Sequence, residues 1–434
     1  MAKRPTAVEI RSYQVGFGDC FLLSFVYSAA DKRHVLIDFG TTGLPGRRKP
    51  SAHMPKIAQA ITDIVGKNGR LTAVVATHRH ADHISGFATD TKNGGSGKLI
   101  KALRPRIVLQ PWTEDPQARP GARSATTISG GEKGFVARFM NMNALADRVR
   151  QLAASTPPWM SAAVRRELQF LGEDNLANKS AVDNLIAMGK AGDKKPRFLR
   201  YGDNSGLESL LPGVKVHVLG PPDLTQTSTI RKQRSKDNDQ FWHFVSGVVP
   251  REAVVQAAAS NPKRRVISVP EEGRWFRDRL QSVTGQGLLE IVRQLDDQMN
   301  NTSIILLFEV FGRKLLFPGD AQFENWSYAM TEAPDKARVA ELVAEVDFYK
   351  VGHHGSLNAT PRQWLWQSFR KRKGKQLQTM MSTMSGKHGK KSSNTEVPRR
   401  TLVSALQSQT RLKNTQKLKG QDIVNITTIK PKGA

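Results

Sequence analysis

Apolar and polar residues alternate along residues 7–15, and a short apolar run, CFLLSFV, follows at residues 20–26, so the chain opens on two strands. A polar turn from Ser28 to Arg33 leads into a third strand at residues 34–38. From Pro55 to Val65 the spacing changes, and Ile57, Ile61 and Ile64 recur at helical intervals. Residues 71–76 read as another buried strand, and residues 103–110 contain a further one. Strand and helix units in this order predict one half of a layered α/β domain. The middle of the chain has a different texture. Residues 134–155 and 159–171 place Leu, Met and Ala at helical spacing, and 253–259 and 288–299 also read as helices. Between them, residues 214–219 form a strand closed by Gly220-Pro221-Pro222, followed by a polar loop at 224–238. The region from about Thr113 to Gly206 therefore reads as a mainly helical insertion. The strand pattern returns at 303–311 and 314–317, a hairpin around Gly312-Arg313. A helix at 337–343 and strands at 348–351 and 378–383 complete the pattern.

Composition narrows the class. A chain of 434 residues makes one large domain or two ordinary ones, and 38% hydrophobic residues can fill its core. No uncharged apolar stretch approaches eighteen residues, so no transmembrane helix and no membrane partner are expected. The first residues, MAKRPTAVEI, lack the apolar centre of a secretory signal. Cys20 is the only cysteine, which excludes an intramolecular disulfide. A cytoplasmic protein is the simplest expectation. The formal net charge is +28, and residues 361–434 carry 17 Lys and Arg against 2 acidic residues, a local excess of +15. Lys371–Lys375 and residues 387–393 are basic, poor in apolar residues and expected to be exposed. Such a segment either attracts polyanions or is simply a solvated tail.

The chemistry concentrates in Thr77-His78-Arg79-His80-Ala81-Asp82-His83, directly after the strand at 71–76. Imidazole and carboxylate groups are good ligands for Zn²⁺, and for Mn²⁺ or iron with other preferences. Four of them within six residues, at a strand end, can converge on a small volume, whereas a structural histidine usually stands alone. Two later elements have the same character. Gly319-Asp320 follows the apolar strand KLLFP, and Lys350-Val351-Gly352-His353-His354-Gly355-Ser356 follows another.

The His-x-His-x-Asp-His pattern resembles the signature of the metallo-β-lactamase superfamily. The resemblance implies an αββα sandwich holding two divalent metal ions, Zn²⁺ foremost and Mn²⁺ as the alternative. His78 and His80 would then hold one ion, and Asp82 and His83 the other. Asp320 would bridge both, and His353 would complete the second site. His354 is the alternative ligand, or an acid near the leaving group. In order along the chain, Gln14-Val15-Gly16-Phe17-Gly18-Asp19-Cys20, Leu36-Ile37-Asp38-Phe39-Gly40, the histidine motif, Gly-Asp and His-His-Gly-Ser also resemble the hydrolase domain of ComEC-type competence proteins. Phe17 stands where that pattern usually has Gln. Residues 1–385 would be the hydrolase domain, carrying the insertion at about 113–206, with a basic C-terminal segment at 386–434. The superfamily usually supplies a third histidine to the first metal. Here His217 reads as a strand residue and His243 as packed among aromatics. Asn301, in Asn301-Thr302-Ser303, matches a position near that metal, and its weaker amide oxygen would favour a labile or harder ion.

Other residues are weaker candidates. Asp38 is either an orienting partner for a metal-bound histidine or an ordinary turn carboxylate. Gly16, Gly18 and Asp19 read as a tight turn rather than a phosphate cradle, Cys20 as core rather than a nucleophile, and His388 as a surface residue in a basic loop rather than one that approaches the site. Two cations sharing Asp320 would activate a water between them, so no protein nucleophile is required. With Asp82, His354 and Lys350 as candidate catalytic groups, a phosphodiesterase or nuclease acting on nucleic acid or a nucleotide is the leading expectation. Lys350 and Lys371–Lys375 are the candidate phosphate contacts. Hydrolysis of a small ester, lactone or amide is the second reading. A nucleic-acid-binding module with a weak or structural metal site is the third.

Overall fold

The computed structural model describes residues 3–116, 162, 178–227, 299–388 and 396–432, apart from positions 47, 67, 92–93, 357, 359 and 419–421. Among these, thirteen strands form two sheets. In chain order the strands are β1 (Ala7–Tyr13), β2 (Cys20–Val26), β3 (Lys32–Phe39), β4 (Ala73–Val75), β5 (Val108–Pro111), β6 (Arg197–Leu199), β7 (Val214–Gly220), β8 (Ile305–Val310), β9 (Arg313–Phe317), β10 (Phe348–Lys350), β11 (Gln378–Met381), β12 (Arg411–Asn414) and β13 (Val424–Ile429). The first sheet has the order β13-β1-β2-β3-β4-β5-β6 and the second β12-β11-β10-β9-β8-β7. Each sheet begins antiparallel and becomes parallel, from β3 to β6 in one and from β9 to β12 in the other.

The strands are apolar on both faces because both faces are covered. Successive side chains point to opposite sides, so Phe21, Leu23 and Phe25 enter the layer between the sheets, where they meet Val216, Phe308, Leu315 and Phe317. Cys20 and Leu22 point the other way, onto helices α1 (Pro50–Val65), α2 (Ser96–Ala102) and α3 (Lys179–Ala191). On the second sheet Leu307, Leu316 and Tyr349 face α4 (Lys336–Ala344) and α5 (Arg400–Gln409) through Val339, Val343 and Leu406. The expected αββα sandwich is therefore the observed architecture.

The parallel strands converge on one edge. Asp38 lies at the end of β3, His78 just beyond β4, Gly319-Asp320 beyond β9, His353-His354 beyond β10 and Ser382 beyond β11. Open α/β sheets place their ligands at the carboxyl ends of such strands.

Two regions depart from the sequence reading. The stretch expected to be a mainly helical insertion supplies α3, but also β6, the outermost strand of the first sheet. Most of the expected helices, at 134–155, 159–171 and 253–259, and nearly all of 288–299, lie outside the described residues. The segment after residue 386 contributes β12 and β13, the last strand of each sheet, so its described part belongs to the sandwich. No described helix is long and apolar enough to cross a membrane.

His34, on β3, is 4% exposed and its Nδ1 lies 2.9 Å from Ser24 Oγ. Burial pushes its pKa down to about 4, with Arg11 and Lys32 adding to the effect. The unfolded chain therefore binds more protons between about pH 6.5 and pH 4, and stability must rise with pH across that window. His34 alone should cost about 2 kcal/mol on going from pH 7 to pH 5. Denaturation midpoints of the parent and His34→Gln at both pH values measure this. An equal loss in the two proteins would show that His34 is not held neutral.

Candidate metal centre

Backbone geometry brings the functional groups together. Gly40 packs so closely on the Asp82–His83 backbone that a Cβ there would collide with it. Asp19 N–H donates to Asp82 O at 2.8 Å, fastening the start of β2 to the histidine loop, and Ile304 N–H donates to Thr77 O at 3.0 Å, fastening the second sheet to it. Asp38, His353 and His354 have φ of 56°, 44° and 51°. Non-glycine residues in this region are held there by their surroundings, and they cluster at functional sites.

Two groups of ligand atoms result. Asp19, His83, Asp320 and His354 bring one oxygen or nitrogen each within 4.8 Å of one another, and so do His78, Asp82 and His83. His83 Nε2 stands 3.1 Å from Asp320 Oδ2. His354 Nε2 lies 3.1 Å from Asp82 Oδ2 and 3.4 Å from Asp320 Oδ2. His78 Nε2 and His80 Nδ1 are 3.0 Å apart. Two ligands bound at about 2.1 Å to one tetrahedral ion lie about 3.4 Å apart, so these separations fit shared cations. His83 Nε2 and Asp82 Oδ1 are buried without a hydrogen bond, which is costly unless a cation takes them. Asp19, Asp38, Asp82 and Asp320 also gather four buried carboxylates. The donor set fits divalent metal ions.

The supporting shell is dense. Asp38 Oδ1 accepts from Thr77 N at 2.7 Å, and Asp38 Oδ2 accepts from Thr77 Oγ1 at 2.8 Å and lies 2.8 Å from His83 Nδ1. This carboxylate orients His83. His354 Nδ1 lies 3.0 Å from Ser382 O, which leaves its Nε2 aimed at Asp82 and Asp320.

Charges follow from this packing. Burial would raise the Asp320 pKa, but His83, His354 and Lys350 overcome it and hold the carboxyl well below its usual range. Burial would lower His83 and His354, and Asp320 with its neighbouring carboxylates drives both upward instead. For His78 and His80 the carboxylates Asp82 and Asp320 do not outweigh burial, which keeps His78 well below its usual value and brings His80 down to about 4. Asp19 goes up because its burial outweighs Lys350 and the imidazoles.

Several expected roles change. Of the adjacent pair, His354 joins the cluster: it is fully buried, whereas the His353 side chain is 23% exposed with Nε2 3.9 Å from Asp320. His353 reaches Asp320 through its backbone N–H, at 3.1 Å. Lys350 does not face a substrate. Its ammonium pairs with Asp19 and lies 3.4 Å from Asp320 Oδ1 and 3.0 Å from Gly319 O, so its donors are turned inward. Asn301 Nδ2 donates to Glu324 Oε2 at 3.1 Å, and its Oδ1 lies 3.5 Å from Asn325 Nδ2, which ties the amide to this pair. His217 is remote, against Glu309 and Arg338, and His243 lies outside the described residues. Asp19, in the turn before β2, stands in the first ligand group. Its signal was a Gly-Asp pair at a strand boundary, the same dipeptide as Gly319-Asp320. His388 is half-buried rather than free on the surface. Its ring lies 4.4 Å from that of Phe17, which lies 4.4 Å from that of His354.

Replacing His354 by Ala is expected to weaken Zn²⁺ binding by more than the roughly 10–100-fold that loss of a supporting contact costs. His353→Ala should stay within that range. Competition against a chromogenic chelator separates the two variants, and the reverse order would return the ligand role to His353.

Residues 14–139 match the model of the metallo-beta-lactamase superfamily. That span includes the Gly-Phe-Gly-Asp turn, Asp38 and the whole histidine motif. A search of curated proteins found no match. Together the match and the ligand cluster support a metal-dependent hydrolase in general terms.

Proposed function

We propose that the protein is a two-metal phosphodiesterase acting on nucleic acid or a nucleotide. The observation that carries the hydrolytic part is the convergence of Asp19, His78, Asp82, His83, Asp320 and His354 in two overlapping ligand groups. Phosphodiester chemistry is supported by the net charge of +28, which favours anionic substrates. Divalent ions bound there supply Lewis acidity and lower the pKa of water toward neutrality.

The chain's own residues do the rest. Asp320, between His83, His354 and Lys350, is among the described residues the one carboxylate within 3.5 Å of all three. Asp38 fixes the tautomer of His83 by accepting at Nδ1, so that Nε2 faces the centre. Ser382 O does the same for His354. Lys350 offsets the charge of Asp19 and Asp320 and holds both carboxylates in place. His78 and His80, kept neutral by burial, offer lone pairs rather than protons.

Protein purified without chelator is expected to carry about two transition-metal ions per chain. It should cleave bis(p-nitrophenyl) phosphate, and one of DNA, RNA or cyclic nucleotides, and lose that activity to a chelator. Turnover of lactones or esters with no phosphodiester cleavage would replace the substrate class. A chain that takes up neither Zn²⁺ nor Mn²⁺ would remove the proposal altogether.

A further inference from the structure

A group of described basic residues lies away from the metal centre. Parallel strands in the second sheet end at the centre, so their beginnings mark the opposite edge. Arg313 and Lys314 open β9, Lys371–Lys375 precede β11, Arg411 opens β12, and Lys430 and Lys432 follow β13. β13 runs antiparallel to β1 with Val424 opposite Tyr13 and Ile429 opposite Val8, which puts its end on that same far edge.

Hydrogen bonds and ion pairs tie several of these residues together. Arg313 Nε donates to Lys430 O at 3.1 Å and its NH1 to Asp347 Oδ1 at 2.9 Å. Lys371 Nζ lies 3.0 Å from the same Asp347 oxygen. Lys314 pairs with Glu345 at 3.0 Å, and Lys432 also lowers the pKa of Glu345. Arg411 N–H donates to Leu377 O, two residues beyond Lys375. Arg372 lies over the Trp366 ring at 5.7 Å. Nine cations thus lie along this edge, where Arg313, Lys314, Lys371 and Lys432 act on Asp347 or Glu345, and Glu309 stands opposite Lys314 in register as a third carboxylate. Lys373, Lys375, Arg411, Lys430 and Lys432 are exposed. Such crowding of like charge is self-repelling unless a counter-charge sits over it.

We infer that this far edge is a second binding face, one that takes the phosphate backbone of duplex nucleic acid without presenting it to the metal centre. Strands β9 to β12 span about 14 Å across. A duplex carries one phosphate charge per about 1.7 Å of axis, so roughly eight charges pass over that width. Along the other direction, β9 alone separates Arg313 from Phe317 by about 13 Å, and Asp320 lies beyond. The face therefore anchors a long polyanion while the centre remains accessible. It stands whether or not the centre cleaves phosphodiesters, and its test reads binding alone.

The test compares two five-site variants with the parent by fluorescence anisotropy on a labelled DNA duplex. One carries Gln at Lys373, Lys375, Arg411, Lys430 and Lys432. The control carries Gln at the exposed Lys49, Lys56, Lys98, Lys179 and Lys417, none of which lies on the far edge. Each phosphate contact contributes about −0.9 to the slope of log affinity against log salt. The far-edge variant should flatten the slope by two or more and weaken binding at 0.1 M salt by about a hundredfold. The control should retain most of both, and metal content should be the same in all three proteins. Loss in the control equal to or greater than that in the far-edge variant would overturn the assignment. So would a parent that binds no duplex, or one that binds only phosphatidylserine vesicles.

Discussion

Asp320→Ala is expected to lower kcat/KM for a phosphodiester probe by at least about a thousandfold, or about 4 kcal/mol of transition-state stabilisation. Three cationic or cation-seeking groups depend on this carboxylate. His83, His354 and Lys350 all lie within 3.5 Å of its oxygens, and His353 N–H donates to it at 3.1 Å. Asp320 is a member of the ligand group it forms with Asp19, His83 and His354, so without it bound metal should fall from about two ions to one or none. Asn301→Ala removes a donor to Glu324 and should cost less than tenfold. Elemental analysis and steady-state kinetics on both variants check the pair. Equal and mild losses would show that Asp320 is not a metal ligand.

Asp38→Ala should be the most destabilising single change around the centre. It removes the acceptor for Thr77 N, Thr77 Oγ1 and His83 Nδ1 together. Breaking a buried, charged network of this kind typically costs about 3–5 kcal/mol. The backbone adds to this, because Asp tolerates φ of 56° better than Ala does. Metal affinity should also fall by about 10–100-fold, since His83 loses the partner that fixes its ring. Asp38→Asn keeps an oxygen for Thr77 and the same tolerance of the backbone, and should recover much of the stability. Denaturation of both variants, with chelator and with excess Zn²⁺, measures the two effects separately. Parental stability and metal affinity in Asp38→Ala would make it an ordinary turn carboxylate.

The fold was legible where burial is symmetrical. Runs such as CFLLSFV and SIILLFEVF are apolar on both faces because the sandwich covers both. The edge strands escaped for the opposite reason. Arg411–Asn414 (RLKN) carries two basic residues in four, and Val424–Ile429 lies in a stretch whose charge suggested a tail. The ligands on the histidine loop were legible because four of them share six residues. Asp19 was not, since its approach depends on a turn folding back against Asp82. The choice between His353 and His354 depends on two successive positive φ values, which place the second histidine inward. No spacing rule contains that information. The inward turn of Lys350 is likewise set by Asp19, which is 331 positions away in the chain.

Because β12 and β13 come from Arg411–Ile429, each sheet waits for its final neighbour until those residues have left the ribosome. Until then β1 and β11 present open hydrogen-bonding edges, the kind that recruit other chains. Gln14, at the end of β1, also waits for the carbonyls of Thr415 and Leu418 to accept its amide. A nascent chain therefore holds its complete histidine motif for more than three hundred residues of synthesis before its sandwich can close. Premature termination before Arg411 should consequently yield aggregation-prone product instead of a smaller soluble enzyme.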